Sequence, residues 1–100
     1  MTEKNQPEQK KINIKINKEI GNGSYNNIVL SSFTKEEFIF DFAFLQPNSH
    51  QADIQSRIIM SPRNAKTLSN ILSSHIAEYE KKFGPLDDPK GQSKIKFSYN

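Results

Sequence analysis

The chain has 100 residues, a net charge of +3 and an isoelectric point of about 9.2, which suit one small domain. It contains no cysteine and only two histidines, which excludes disulfides and thiolate metal sites. The polar N-terminus has no signal-peptide core, and no apolar run reaches the roughly 20 residues that span a bilayer. We therefore expect a cytoplasmic protein without cofactor or metal.

Chain size and pattern together predict the domain organisation. Residues 1–10 are charged and poor in apolar side chains, which predicts a disordered basic arm before a single domain over residues 11–86. Within that domain, alternating apolar and polar residues predict four strands, separated by the turn residues GNG and by the loop QPNSHQ. These strands are 12–16, 24–33, 36–45 and 52–60.

One long helix is predicted after the strands, with signals at both ends. Ser61 suits the N-cap and Pro62 the first helical position, while Gly84 suits a left-handed position after the last turn. Apolar residues recur between these ends at steps of three and four, as on one face of a helix. They are Ala65, Leu68, Leu72, Ile76, Tyr79 and Phe83, with Ile71 beside them.

The C-terminal segment 87–100 has two interpretations. Its polar composition is typical of a disordered tail. However, Ile95, Phe97 and Tyr99 alternate with polar residues, as they would in a short edge strand added to this sheet or to that of a neighbour.

A hairpin around the loop QPNSHQ explains why the third strand is apolar on both sides. If paired residue numbers sum to 98, Phe40 faces Ile58, Phe44 faces Ile54, and Asp41 faces Arg57 on the opposite side. If the second strand pairs with the third at sums near 69, Val29 joins the side of the phenylalanines and Leu30 that of Asp41. The phenylalanines then form a face that the helix covers, and the second face has no helix to cover it. We expect another copy of the chain to bury that second face, because such a patch usually marks an interface. Its predicted residues are Ile28, Leu30, Ile39, Asp41, Ala43, Leu45, Arg57 and Ile59.

The predicted fold class is therefore α+β: a four-stranded, mainly antiparallel sheet, with one long C-terminal helix packed on one face and a dimer formed through the other. Self-association also suits a chain too small for a large core, which has neither disulfides nor metal to stabilise it.

No catalytic constellation is predicted. Asp41 and Arg57 are interpreted as a structural cross-strand charge pair, because no second acid, histidine or nucleophile falls beside them in the pattern. Arg57, Arg63 and Lys66 cluster around the start of the helix and could contact an anion or nucleic acid. Tyr25, Asn26 and Asn27, near the glycine turn, could supply stacking and polar contacts to nucleic acid.

A series of short motifs runs along roughly residues 12–86. The motifs are Tyr25-Asn26-Asn27, Glu37-Phe38, Asp41-Phe42, Gln46-Pro47, Arg57-Ile58, Pro62, Ala65-Lys66, Tyr79-Glu80 and Phe83-Gly84. In these motifs the chain resembles an uncharacterised prokaryotic family, domain of unknown function 3467. The resemblance implies a small cytoplasmic bacterial or archaeal protein with no assigned chemistry.

The functional prediction has two branches. The first is a non-enzymatic, homo-oligomeric protein-interaction module, an adaptor or chaperone-like protein that binds another polypeptide. The alternative is a nucleic-acid-binding protein that uses Arg57, Arg63, Lys66 and the lysines of the N-terminal arm. Nothing in the sequence favours an enzyme over either branch.

Overall fold

The computed structural model describes residues 9–87 and 96–99. The predicted arm over residues 1–10 and the tail over 87–100 therefore lie mostly outside the described residues. Three strands and two helices are present in the described part of the chain. In chain order they are α1 (Lys18–Gly21), β1 (Ile28–Phe33), β2 (Phe38–Leu45), β3 (Ala52–Met60) and α2 (Pro62–Phe83).

The three strands form one antiparallel sheet in the order β1-β2-β3. Aromatic and β-branched residues dominate β2, and such side chains favour the extended backbone of a central strand. The turn between β1 and β2 is closed by Thr34, whose hydroxyl accepts from the backbone N–H of Glu36 and Glu37 at 3.1 and 3.2 Å. In the loop before β3, Asn48 takes a φ of 64°, a conformation that asparagine tolerates better than most residues.

The β2–β3 register follows the predicted sum of 98 through Phe42 and then shifts by one residue. Phe40 lies opposite Ile58 and Asp41 opposite Arg57, as predicted. A bulge then leaves Gln55 unpaired, so Ile54 lies opposite Ala43. The predicted pairing of Ile54 with Phe44 is wrong, because one extra residue moves a side chain to the other face of the sheet.

The β1–β2 register is also displaced from the prediction, although the faces are unchanged. Val29 lies opposite Phe42 and Leu30 opposite Asp41, so the paired numbers sum to 71 where 69 was predicted. A shift of two residues preserves the alternation of side chains. Val29 therefore shares the face of the phenylalanines, and Leu30 shares that of Asp41.

The predicted first strand, residues 12–16, is not a strand in the described chain. Its isoleucines are exposed, with Ile14 91% accessible, and no ladder joins the segment to the sheet. The short helix α1 follows, and the Asn17 side chain accepts from the N–H of Ile20 at 2.8 Å. Alternation shows that a segment would suit a strand, but only a partner strand can satisfy its backbone hydrogen bonds.

The limits of α2 match the predicted ones closely. The Ser61 hydroxyl accepts from the N–H of Asn64 at 3.2 Å, and Pro62 opens the first turn. At the other end, Gly84 has a φ of 97°, which favours glycine, and its N–H donates to the Glu80 carbonyl. Of the apolar stripe, only Ala65 is buried.

The prediction that α2 packs on the phenylalanine face is wrong for the described chain. Leu72 is 53% exposed and Phe83 71%, so the stripe has no sheet beneath it. Ser61 alone joins β3 to α2 and is itself extended, with φ −67° and ψ 157°. In the described chain, α2 has no extensive contact with any strand. The molecule is elongated, 66 × 35 × 34 Å.

Within the described part of the chain, no helix combines the length and the apolar character that a bilayer crossing requires.

Candidate functional site

Asp41 and Arg57 form a bidentate ion pair across the β2–β3 ladder. Arg57 Nε donates to Asp41 Oδ1 at 2.7 Å and Nη2 donates to Oδ2 at 2.8 Å. The register places these residues directly opposite each other, where cross-strand side chains meet. The parallel geometry is the strongest form of charge-assisted hydrogen bond that arginine makes with a carboxylate.

The two partners differ sharply in exposure. The Asp41 side chain is 4% accessible and that of Arg57 is 55%. Asp41 is thus a buried charge that relies on its neighbours, whereas the guanidinium is partly hydrated.

Tyr99 completes the cluster from the C-terminal tail. Its hydroxyl donates to Asp41 Oδ2 at 2.8 Å, the oxygen that also accepts from Arg57 Nη2. The prediction of candidate site residues missed Tyr99. The alternation of Phe97 and Tyr99 was the signal for it, but alternation does not identify a partner 58 residues away along the chain.

This arrangement shifts the ionisation of all three groups. The hydrogen bond from Arg57, helped by that from Tyr99, lowers the pKa of Asp41 to about 2, although burial opposes the change. The hydrogen bond to Asp41, then burial, raises the pKa of Tyr99, and the hydrogen bond to Asp41 raises that of Arg57. At neutral pH Asp41 is therefore a carboxylate and Tyr99 a neutral phenol. Such a carboxylate is a poor general acid or base.

Residues 96–99 lie over the sheet face that carries Asp41, hereafter the Asp41 face. Between them and the sheet is a cleft of about 580 Å³. Its floor is apolar, and the loop before β3 forms one wall. The floor residues are Ile28, Leu30, Ala43, Leu45 and Ile54, and the wall residues are Ser49, His50 and Gln51.

The eight predicted interface residues all belong to the strands and, by register, share the Asp41 face. Ile28, Asp41 and Ala43 are already buried within one chain, while Ile59 is 54% exposed. The strand register groups these residues on one face. Their burial against a second copy stays a prediction.

The predicted anion-binding residues lie on two different elements, and their binding of an anion stays a prediction. Arg57 is paired with Asp41 on the sheet, whereas Arg63 and Lys66 lie in the first turns of α2. Among described residues, no ion pair is seen at Arg63 or Lys66. An anion at Arg57 would have to compete with the Asp41 carboxylate.

The opposite sheet face carries Phe38, Phe40, Phe42 and Phe44 and is named the phenylalanine face. Phe33 stacks on Phe38 with ring centroids 5.3 Å apart, and Phe38 on Phe40 at 6.2 Å. Phe33 is 71% exposed and Ile58 is 42% exposed. Together these side chains form a continuous apolar surface.

Asn27 has a structural role that the sequence did not reveal. Its side-chain amide donates to the Leu45 carbonyl at 3.0 Å and accepts from the Leu45 N–H at 2.9 Å. Its own N–H donates to the carbonyl of Ala43 at 3.1 Å. The side chain thereby extends the β1–β2 ladder beyond the last backbone pair, so Asn27 is engaged within the fold.

The described residues contain no group of three or more His, Cys, Asp or Glu side chains placed to hold a metal ion.

Comparison with curated proteins and with solved structures gives no match. A family model does match residues 1–88, which include Asp41 and Arg57 but not Tyr99. The chain therefore belongs to the family described as "Protein of unknown function (DUF3467)".

Proposed function

We propose that the protein is a non-enzymatic, self-associating protein-interaction module, located in the cytoplasm. The observation that carries this proposal is the presence of two partly exposed apolar surfaces on one small chain. On the phenylalanine face, Phe33 and Ile58 are exposed and the rings along β2 are half-buried, and of the stripe of α2 only Ala65 is buried. Large uncovered apolar patches on a protein domain usually mark interaction sites. The absence of cysteine is compatible with the cytoplasm.

The two surfaces have matching dimensions. The helix has 22 residues and is about 33 Å long. Strand β2 has eight residues and is about 26 Å long. A helix laid along the phenylalanine face would therefore cover the strand from end to end.

A second copy of the chain is the occupant that this geometry favours. Helix α2 has no extensive contact with its own sheet, so it is available to the phenylalanine face of a partner. In a symmetric pair each helix covers the other sheet, and both surfaces of both chains are buried by one reciprocal arrangement. A chain with so small a core gains most from such burial.

This arrangement differs from the predicted dimer through the Asp41 face. Residues 96–99 already cover part of the Asp41 face, and its central residues Asp41 and Ala43 are 3% and 2% exposed. The large apolar side chains exposed on the phenylalanine face are Val29, Phe33 and Ile58, against Ile54 and Ile59 on the Asp41 face. This difference favours the phenylalanine face as the contact.

Nucleic-acid binding through Arg57, Arg63, Lys66 and the N-terminal lysines is the alternative proposal. The net charge of +3 supports it. The pairing of Arg57 with Asp41 counts against it, because it leaves the positive charge of that residue locally neutralised.

Light scattering at several salt concentrations, with and without an oligonucleotide, tests both proposals. Self-association driven by apolar burial predicts about twice the 11.5 kDa chain mass, with no loss at high salt. Nucleic-acid binding predicts a complex at low salt that dissociates at moderate salt, as phosphate contacts release counterions. A chain that is monomeric throughout and binds oligonucleotide only at low salt would support the alternative and refute self-association.

A further inference from the structure

The Asp41 face carries a candidate second site, distinct from the two surfaces proposed for self-association. Three observations define it: an apolar cleft beside a buried carboxylate, an arginine that fixes the carboxylate, and a tail segment seated over both. The inference rests on the proposed role as a protein-interaction module and deepens it by naming the class of segment bound.

The seated segment shows which chemistry the site accepts. Phe97 and Tyr99, two residues apart, both line the depression around Asp41 and Arg57, whereas Lys96 and Ser98 do not. Side chains two positions apart point the same way in an extended chain. The depression at Asp41 and Arg57 thus contacts alternate residues, an aromatic ring and then a tyrosine, while all four of residues 96–99 line the adjoining cleft.

The phenol of Tyr99 gives the contact its specificity. Asp41 Oδ2 accepts from Tyr99 at 2.8 Å, and a carboxylate can bind only a donor at that point. Because the carboxyl group is buried and held by Arg57, its remaining acceptor capacity is fixed in direction. A phenylalanine in place of the tyrosine would fill the same space without satisfying this acceptor.

Residues 96–99 are only partly buried against the sheet. Tyr99 is 61% exposed, and the cleft beside it is not filled by Phe97. The seat, Asp41 and Arg57, also lies inside the family match over residues 1–88, while residues 96–99 lie outside it. The binding residues Asp41 and Arg57 and the segment bound to them therefore belong to different parts of the chain.

We propose that the Asp41 face is a groove for an extended polypeptide segment of the form aromatic-x-tyrosine, occupied in the free chain by Phe97 and Tyr99 and open to the same kind of segment from another protein. The bound tyrosine hydroxyl donates to Asp41, and the preceding aromatic ring packs beside the apolar floor.

A peptide titration on the full-length chain tests this proposal. The variant Phe97→Ser/Tyr99→Ser empties the groove, and a fluorescent peptide with the sequence of residues 96–100, KFSYN, serves as the probe. A matched peptide with phenylalanine in place of tyrosine lacks only the hydroxyl. The emptied chain should bind KFSYN roughly tenfold more tightly than the matched peptide. The wild type should bind KFSYN more weakly than the emptied chain, because its own tail competes.

Two further measurements complete the test. Adding Asp41→Asn to the emptied chain should reduce the preference for tyrosine. Tyr99→Phe in the otherwise unchanged chain should shift the Arg57 Nε–Hε resonance, which requires no added peptide. Absence of saturable binding at millimolar KFSYN, equal binding of both peptides, equal binding by wild type and emptied chain, or an unmoved Arg57 resonance would each overturn the proposal. Molar masses from the same samples keep this outcome separate from self-association, because peptide binding by a monomer would refute only the latter.

Discussion

Arg57 and Asp41 face each other across the β2–β3 ladder, with both polar atoms of the carboxylate bonded to the guanidinium at 2.7 and 2.8 Å. The relationship is unequal, because the carboxylate is buried and the guanidinium more than half exposed. Removing the arginine leaves a buried charge with Tyr99 as its remaining side-chain partner among the described residues. Removing the acid leaves an arginine that water can reach.

This inequality predicts that Arg57→Met destabilises the fold more than Asp41→Asn does. We expect a fall in Tm of several degrees for Arg57→Met and a smaller fall for Asp41→Asn. The double variant should recover part of the loss, since no unpaired charge remains. Thermal and urea unfolding of the three variants measure this. Equal losses in the two single variants would show that the carboxylate is better hydrated than the structure indicates.

The depressed pKa of Asp41 predicts a loss of stability in acid. The folded pKa is about 2 against an ordinary value of 3.8, so in the interval between them the unfolded chain binds a proton that the folded chain does not. The Asp41 contribution is therefore complete above about pH 4 and declines as pH falls towards 2. Unfolding measured across this interval should show a shallower decline for Asp41→Asn than for wild type. Parallel curves would contradict the assigned shift.

The two hydrogen bonds between the Asn27 side chain and the Leu45 backbone are predicted to stabilise the edge of the β1–β2 ladder. Asn27→Ala removes both bonds to Leu45 and should cost about 1 kcal/mol of unfolding free energy, as is typical of hydrogen bonds near a surface. Asn26→Ala is the control, because the Asn26 amide nitrogen bonds only to nearby Ser24, at 3.3 Å. Urea unfolding should therefore separate the two variants. Equal effects would mean that the ladder does not depend on Asn27.

The sequence predicts the three strands of the sheet and the ends of the long helix well, because local signals determine them. The fourth predicted strand, residues 52–60, coincides with β3, and Ser61 and Gly84 bound α2 as expected. The pairing of Asp41 with Arg57 also follows from alternation alone, once the hairpin is placed.

Features that depend on distant partners are not predicted. The bulge at Gln55 moves Ile54 to the Asp41 face, and no local signal marks an extra residue in a strand. Residues 12–16 have the pattern of a strand but no strand beside them. Tyr99 reaches Asp41 from the far end of the chain. The apolar stripe of α2 predicts that some surface covers the helix, but the stripe does not identify that surface. In the described chain it is not the sheet of the same chain.

Two adjacent residues on opposite faces of β3 provide the most direct test of the central claim, that the chain self-associates through its phenylalanine face. Ile58 lies opposite Phe40 and is 42% exposed, and Ile59 lies opposite Ile39 and is 54% exposed. Solution molar mass should be measured by light scattering for wild type, Ile58→Lys and Ile59→Lys. We predict an oligomer for wild type and Ile59→Lys. For Ile58→Lys we predict self-association roughly tenfold weaker or more, because a lysine charge would be buried at the contact. A wild-type monomer would contradict self-association. Dissociation by Ile59→Lys alone would instead place the contact on the Asp41 face.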